Sequence, residues 1–324
     1  MTPRPTLPDI RAAHERIRPH IHRTPVITCA ALDERIGGRL FFKCENLQKV
    51  GAFKSRGACN AVFSLTDDEA ARGVLTHSSG NHAAALARAA ARRGIPAHIV
   101  MPANSRRVKI EAVRGYGGRV TLCEPTLAAR ETTAARVQSE TGAVMIHPYD
   151  DVRIIAGQAT AAVELLEQVP DLEGVMAPVG GGGLLSGTLL AVKSLRPKVR
   201  VIAAEPKLAD DAYESWKTGR LTPPRPPVTI ADGLRTSLGT LTFPIIQELV
   251  DDILLASEET IVAATRLLLE RAKTVVEPSA AVPLAALLEN HPVWAQGRIG
   301  IILSGGNLDL DDLPWGGPAE SMNA

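Results

Sequence analysis

Short apolar runs separated by helical stretches constrain the fold of this chain more than any other feature of its sequence. The runs are nearly continuous and rich in β-branched residues, which is typical of strands in a sheet covered on both faces. They lie at residues 40–43, 97–101, 119–123, 144–146, 175–179, 199–203 and 299–303. Helical stretches lie between them at residues 82–93, 157–168, 184–194, 258–271 and 280–289. This alternation predicts a parallel α/β architecture.

The composition argues against several classes of protein. The 324 residues include 36 basic and 35 acidic side chains, so the formal net charge of +1 gives no basis for binding a nucleic acid or a membrane surface. No apolar run is long enough to span a membrane, and the first 23 residues lack the apolar core of a signal peptide. None of the four cysteines has the CxxC spacing of a zinc or redox site. We therefore expect a cytoplasmic protein.

Four consecutive glycines, Gly180, Gly181, Gly182 and Gly183, follow the apolar run 175–179 and precede a helical stretch. Backbone N–H groups in such a loop can approach an anion closely, and the dipole of the following helix adds to the attraction. The Gly-Lys-Ser/Thr ending of a nucleotide P-loop is missing, which favours a cofactor with a single phosphate. A flexible turn is the alternative, although four glycines cost considerable entropy on folding.

Three other segments carry polar groups suited to chemistry. Lys54 lies among small and apolar residues in 51–57 (GAFKSRG), where burial would lower its pKa enough for attack on an aldehyde. The segment 78–82 (SSGNH) precedes a helix and suits a carboxylate or a hydroxyl. The segment 303–307 (LSGGN) places a hydroxyl at the end of the last strand, where α/β proteins bind ligands. A solvated lysine, an ordinary helix cap and a turn are the respective alternatives.

In this order the four motifs resemble those of the fold-type II pyridoxal-phosphate enzymes, and the likeness covers nearly the whole chain. The segments 53–57 (FKSRG) and 78–82 are similar to those of the serine racemase and threonine dehydratase branch. The resemblance implies two parallel-sheet α/β domains with the cofactor in the cleft between them. Residues 1–65 and 148–324 would form the large cofactor-binding domain, and residues 66–147 would form a small inserted domain.

The resemblance implies that Lys54 bonds the aldehyde of pyridoxal 5′-phosphate and removes the Cα proton of the substrate. The other implied cofactor contacts are Phe53 at the ring, Asn81 at the ring hydroxyl, Ser304 at the pyridine nitrogen, and Gly180, Gly181, Gly182, Gly183 and Leu184 at the phosphate. A neutral hydroxyl opposite the nitrogen should leave it mostly unprotonated. We expect this to favour rapid elimination or reprotonation.

The implied substrate contacts are Ser78, Ser79, Asn81, His82, Arg130 and Thr236. Ser79 is also implied as a second catalytic residue, on the face opposite Lys54. Racemisation removes a proton from one face and returns it on the other, so it needs two acid–base groups. One departure from the serine racemase pattern is Tyr149 after Pro148, where asparagine is more familiar. A tyrosine there predicts a reshaped substrate pocket.

The segment 205–211 (EPKLADD) resembles the stretch that holds a divalent ion in serine racemases. The implied ligands are the carboxylates of Glu205 and Asp211 and the backbone carbonyl of Ala209. Hard oxygen ligands suit Mg²⁺, with Ca²⁺ or Mn²⁺ as alternatives. A solvated acidic loop is the alternative interpretation.

The sequence thus predicts a dehydratase that converts serine or threonine to a 2-oxo acid and ammonia, with serine racemisation as a second activity. The nearest alternative is a dehydratase for 3-hydroxyaspartate or another hydroxy amino acid, which a basic residue for a second carboxylate would favour. A non-catalytic metabolite sensor is an alternative from another class, and it would be expected to lack Lys54 or Ser79. The resemblance also implies a homodimer that binds a small hydroxy amino acid.

Overall fold

Two sheets contain the strands found in the described part of the chain. The fold comes from a computed structural model, which describes residues 4–78, 80–105, 107–222, 226–290, 297–311, 313 and 315. The strands are β1 (Val26–Ile27), β2 (Arg39–Cys44), β3 (Val74–His77), β4 (Ala97–Pro102), β5 (Arg119–Cys123), β6 (Val144–Met145), β7 (Gly174–Pro178), β8 (Arg200–Pro206), β9 (Asp252–Ala256) and β10 (Arg298–Leu303).

Helices follow most of these strands along the chain. They are α1 (Leu7–Ile17), α2 (Ala30–Ile36), α3 (Lys54–Phe63), α4 (Asp67–Arg72), α5 (Asn81–Arg93), α6 (Arg107–Gly115), α7 (Leu127–Thr141), α8 (Val152–Gln168), α9 (Gly183–Leu195), α10 (Asp211–Thr218), α11 (Thr242–Leu249), α12 (Glu258–Glu270) and α13 (Pro278–Glu289). No helix in these ranges is both long and apolar enough to cross a bilayer.

The larger sheet has the strand order β1-β2-β10-β7-β8-β9. All of its neighbouring strands are parallel except β1, which pairs antiparallel with β2 at the edge. Helices α12 and α13 cover one face and α8 and α9 cover the other, so that central strands such as β7 are buried throughout. The α/β fold predicted from the apolar runs is confirmed.

The smaller sheet is parallel throughout and has the order β5-β4-β3-β6. Its strands lie between residues 74 and 145, inside the predicted small domain of residues 66–147. Its hydrophobic core also includes Ala58, Cys59 and Val62 of α3, a helix that precedes residue 66. The exact domain boundaries stay a prediction.

Helix α3 crosses α8 at an unusually close distance. A Cβ on Gly157 would lie 2.6 Å from the Cα of Gly57, and a Cβ on Gly57 would lie 2.6 Å from the Nε2 of Gln158. Only glycine allows two helix backbones to approach in this way. The crossing fixes the first helical turn after Lys54 against the large sheet.

A buried charge network anchors the same turn of α3. Arg56 is fully buried, and it donates from Nε and Nη2 to Glu45 at 2.7 and 2.8 Å and from Nη1 and Nη2 to Glu164 at 2.9 and 2.8 Å. Lys43, also fully buried, donates to Glu164 at 2.6 Å. Two cations therefore neutralise two carboxylates, which is the condition for keeping charges inside a protein.

Replacing Arg56 with methionine should lower the free energy of unfolding by about 3–5 kcal/mol, because the buried Glu45 loses its cation and Glu164 keeps only Lys43. Denaturant unfolding of the cofactor-free protein measures the change. The control is Arg136→Met, which removes an exposed ion pair with Glu140 (2.8 Å) and should cost about 0.5 kcal/mol or less. Equal losses in the two variants would show that the network does not stabilise the fold.

Candidate active site

The carboxyl ends of three adjacent parallel strands, β2, β10 and β7, place the predicted motifs together. The tetraglycine segment follows β7, and Ser304 follows β10, which pairs directly with β7. Parallel strands end at the same edge of a sheet, so these two motifs lie side by side.

A short antiparallel pairing brings the Lys54 segment to the same edge. Phe53 N–H donates to the Ser304 carbonyl at 3.0 Å, and Gly306 N–H donates to the Gly51 carbonyl at 2.9 Å. Ala52 and Gly305 form the bridge between these two bonds. Lys54 therefore begins α3 directly beside the loop that carries Ser304.

The side chain of Lys54 is partly buried, and a hydrogen bond holds its amine. Its Nζ donates to the Pro148 carbonyl at 2.7 Å and lies 5.1 Å from the centre of the Phe53 ring. Burial lowers the pKa of Lys54 from its ordinary value to about 8, although the negative charge of Glu277 opposes this change. A substantial fraction of the amine is then neutral near pH 8, as attack on an aldehyde requires.

The tetraglycine segment forms the start of α9. Gly182 has a φ of 85° and is followed by the helix at Gly183, where no described side chain caps the N-terminus. A Cβ on Gly181 would lie 2.3 Å from the ring of Tyr149, so only glycine fits against this ring. The first N–H groups of the helix, including that of Leu184, have no intrahelical acceptor and suit a phosphate.

Asn81 is fixed at both ends of its side-chain amide. Its Nδ2 donates to the Glu277 carboxylate at 2.9 and 3.1 Å, and its Oδ1 accepts from Asn307 Nδ2 at 2.8 Å. Burial, together with the charge of Asp232, raises the pKa of Glu277 to about 7, while Asn81 and Lys109 oppose the change. No sequence motif predicts these contacts of Glu277 and Asn307 with Asn81.

Ser304 is 3% exposed, and its backbone carbonyl accepts from Phe53 N–H at 3.0 Å. A serine hydroxyl can both donate and accept a hydrogen bond, so it can serve a ring nitrogen. This suits the role that the resemblance implies for Ser304, as the partner of a ring nitrogen.

The amino end of α5 carries the segment predicted to bind a carboxylate. No described side chain caps this end, so its first N–H groups can donate to an anion. His82 is buried, with Nε2 lying 3.3 Å from the Ile146 carbonyl, and burial keeps its pKa well below its ordinary value. The neutral ring thus faces the interior, which leaves the His82 backbone N–H for an anion. Ser78 lies just before the helix, and Ser79 lies outside the described residues.

Two more predicted substrate contacts lie around the cleft. Thr236 lies beside the tetraglycine segment, because its Oγ1 would be 3.2 Å from a Cβ on Gly180. Arg130 lies in the first turn of α7, and its Nε is buried without a hydrogen-bond partner among the described residues. Their roles as substrate contacts stay predictions.

Three aromatic rings that the sequence did not connect form a row near Lys54. His77 and His147 have ring centres 5.9 Å apart, and His147 and Tyr149 have ring centres 4.6 Å apart, both edge to face. His77 ends β3, and His147 follows β6, the strand that pairs with β3 in the small sheet. The parallel pairing of these strands brings the two histidines together.

The predicted metal ligands lie around the end of β8. Glu205 is buried, and its carboxylate accepts from the N–H groups of Ala212 and Tyr213 at 3.0 and 2.9 Å. Burial and nearby Asp211 raise the pKa of Glu205 well above its ordinary value. Within the described ranges, no group of three or more histidine, cysteine or acidic side chains suits a metal ion. The predicted set has only two carboxylates plus the Ala209 carbonyl, and it stays a prediction.

The geometry fits pyridoxal phosphate at four points. An amine has a lowered pKa, a helix start lacks a side-chain cap, a buried serine follows β10, and an amide is held in place by two neighbours. These groups lie at the edge of the larger sheet where β2, β10 and β7 end. The residues present are therefore those that an aldehyde cofactor with one phosphate requires.

Comparisons with known proteins agree with this fit. β-Hydroxyaspartate dehydratase from Paracoccus denitrificans (strain Pd 1222) is 54% identical over 311 residues, covering 96% of this chain and 99% of that protein. The solved structure of maize serine racemase matches with a TM-score of 0.93 and 49% identity, covering 94% of each chain. The processed form of threonine deaminase isoform 2 from Solanum lycopersicum matches with a TM-score of 0.87 and 34% identity, covering 94% of this chain and 84% of that one.

A family model described as "Pyridoxal-phosphate dependent enzyme" matches residues 17–305, which is most of the chain. The likeness to the fold-type II enzymes that was inferred from the four motifs is therefore confirmed. Together with the 54% identity to one relative, this match shows that the chain belongs to the pyridoxal-phosphate dependent enzyme family.

Proposed function

We propose that this protein is a dehydratase for small hydroxy amino acids, converting serine or threonine to a 2-oxo acid and ammonia, with serine racemisation as a second activity. The observation that carries the proposal is the dipeptide Pro148–Tyr149. The Pro148 carbonyl accepts from Lys54, and the Tyr149 ring packs on Gly181. Two consecutive residues therefore contact the reactive amine and the phosphate-binding loop.

The cofactor, when bound, supplies an aldehyde that captures the substrate amine and a ring that withdraws electrons from its Cα. Phe53 would pack against that ring. The phosphate would be held through the backbone N–H groups of Gly180, Gly181, Gly182, Gly183 and Leu184, and the ring would be held by Asn81 and Ser304.

Lys54 is the residue that takes the proton from the substrate Cα. A base works best when its pKa lies near the working pH, and burial has brought the pKa of Lys54 to about 8. The substrate carboxylate lies at the amino end of α5, at Ser78, Asn81 and His82. His82 is buried and the other two are partly buried, and exclusion of water from such a site strengthens each electrostatic contact.

A second candidate is a dehydratase for 3-hydroxyaspartate. Arg130 favours it, because a guanidinium beside the cleft with a buried, unpartnered Nε suits a second carboxylate. The β-hydroxyaspartate dehydratase relative supports the same candidate. The metabolite-sensor alternative is less well supported, since Lys54 is present, partly buried and held in place.

We also propose that the protein is a cytoplasmic homodimer. The four cysteines are free and three of them are buried, which suits a reducing compartment. The homodimer is supported by the resemblance to this branch of enzymes.

The proposed function is tested by spectra and product assays on protein reconstituted with pyridoxal phosphate. Wild-type protein should be yellow and release pyruvate from serine and 2-oxobutyrate from threonine. Lys54→Ala should lose both the visible absorbance and the activity, because no amine remains to bond the aldehyde. The control, Lys198→Ala, removes an exposed lysine and should match wild type. Coloured, active Lys54→Ala protein would overturn the proposal, and a coloured protein without activity on any hydroxy amino acid would favour a sensor.

Ser79→Ala should abolish the formation of D-serine from L-serine while leaving much of the pyruvate formation. The reason is that racemisation needs a proton donor on the face opposite Lys54, whereas elimination does not. Chiral separation of serine and a coupled pyruvate assay measure the two rates on the same sample. Equal loss of both activities would mean that Ser79 only shapes the pocket.

We further propose that Glu205, Asp211 and the Ala209 carbonyl hold Mg²⁺. Crowding of carboxylates around the buried Glu205 supports this, because a cation would relieve it. Mg²⁺ should therefore raise the melting temperature of the wild type by mass action. Asp211→Asn should remove most of that increase, whereas Asp171→Asn, on the surface, should retain it. A wild type that does not respond to Mg²⁺ or Ca²⁺ would refute the site.

A further inference from the structure

The row of rings from His77 to Tyr149 lies between the small sheet and the tetraglycine segment. Its last member, Tyr149, covers Gly181 and follows the residue whose carbonyl holds Lys54. None of the roles assigned so far uses the phenol of Tyr149. The row of rings therefore forms one wall of the cleft beside the reactive amine. This wall has no function among the roles described above.

The orientation of this wall is fixed by backbone contacts. His147 Nδ1 accepts from Asp150 N–H at 2.9 Å, so the proton of the neutral ring lies on Nε2. Burial, together with His77, lowers the pKa of His147 to about 4, so the ring is neutral near pH 7. Asp150 in turn accepts from the N–H groups of Leu241 and Thr242 at 2.8 and 3.2 Å. The segment that carries Tyr149 is thereby tied to the start of α11.

The hydroxyl of Tyr149 is a donor without a protein acceptor. The side chain is half-buried, and its hydroxyl makes no hydrogen bond to any described residue. Burial and the nearby charge of Asp150 raise the pKa of Tyr149 to about 12. The phenol thus keeps its proton at every physiological pH and can donate to an anion.

Arg130 carries an unpartnered donor on the same side of the cleft as Tyr149. Its charge acts on both Tyr149 and His77, which places the guanidinium near the ring row. Its Nε is buried and has no hydrogen-bond partner in the described part of the chain. Both histidines of the row are neutral, so they neither repel this cation nor compete for an anion.

We propose that Tyr149 is a specificity-determining residue, whose hydroxyl donates to a carboxylate on the β-carbon of the substrate. The substrate class that this arrangement selects is the hydroxy amino dicarboxylates, of which 3-hydroxyaspartate is the smallest. Serine and threonine lack the second carboxylate and leave the phenol without an acceptor. The inference rests on the proposed dehydratase function and deepens it.

Tyr149→Phe tests the inference because it keeps the ring that packs on Gly181 and removes only the hydroxyl. Its kcat/KM for 3-hydroxyaspartate should fall about tenfold or more, the effect of losing one hydrogen bond to a charged group. Its kcat/KM for serine should stay within about twofold of wild type. The control, Tyr116→Phe, alters a tyrosine at the exposed end of α6 and should change neither value.

A binding experiment gives a readout that does not depend on turnover. Malate carries the hydroxyl and both carboxylates of the proposed substrate but no amine, and 3-hydroxypropionate also lacks the carboxylate on the β-carbon. Malate should raise the melting temperature of the wild type more than that of Tyr149→Phe, whereas 3-hydroxypropionate should act equally on both.

The outcomes separate this inference from the function on which it rests. A wild type that dehydrates serine but not 3-hydroxyaspartate would overturn the inference and leave the dehydratase proposal standing. A Tyr149→Phe protein that loses both activities in equal proportion would also overturn it, since the hydroxyl would then have no part in selectivity. A wild type without activity on any hydroxy amino acid would refute the proposed function itself.

Discussion

The hydrogen bond from the Lys54 amine to the Pro148 carbonyl joins the two halves of the active site. Lys54 begins a helix that packs on the small sheet, and Pro148 lies where the chain leaves that sheet. The pairing of Phe53 with Ser304 connects the same amine to the end of β10. The Lys54 amine thus contacts the segment that follows β6, the backbone beside it is paired with the end of β10, and Tyr149 extends these contacts to the tetraglycine segment. These contacts bring the groups that the family requires to one place.

The central strands could be predicted because burial on both faces leaves a continuous apolar run in the sequence. The edge strands could not. β1 has only two residues, which is too few for any pattern, and β9 begins with an aspartate at the sheet edge. The bounds of helix α7 around Arg130 could not be predicted, because its small and polar residues show little one-sided apolar pattern. The antiparallel pairing of β1 arises from tertiary contact with β2, which no local signal encodes.

The candidate active site likewise has some parts that the sequence predicts and others that it does not. Glycines before a helix and a lysine among small residues are local signals, and the structure brings Lys54, Ser304 and the tetraglycine segment together. Glu277 and Asn307 had no such signal, since their role depends on a contact with Asn81 across about two hundred residues. The burial of His82 against Ile146 could not be predicted either, because a histidine in a polar motif suggests an exposed ring. Sequence patterns report what each segment is able to bind, whereas side-chain partners depend on the fold.

The charge network around Arg56 has a consequence for the reactive lysine two residues away. A lone buried guanidinium would repel a neighbouring ammonium and depress its pKa. Here Glu45 and Glu164 cancel the charges of Arg56 and Lys43, and burial opposed by Glu277 accounts for the pKa of Lys54. The network can therefore hold the start of α3 in place without adding a net charge that would change the pKa of Lys54. Anchoring and acidity are set by separate groups, so each could change in evolution without disturbing the other.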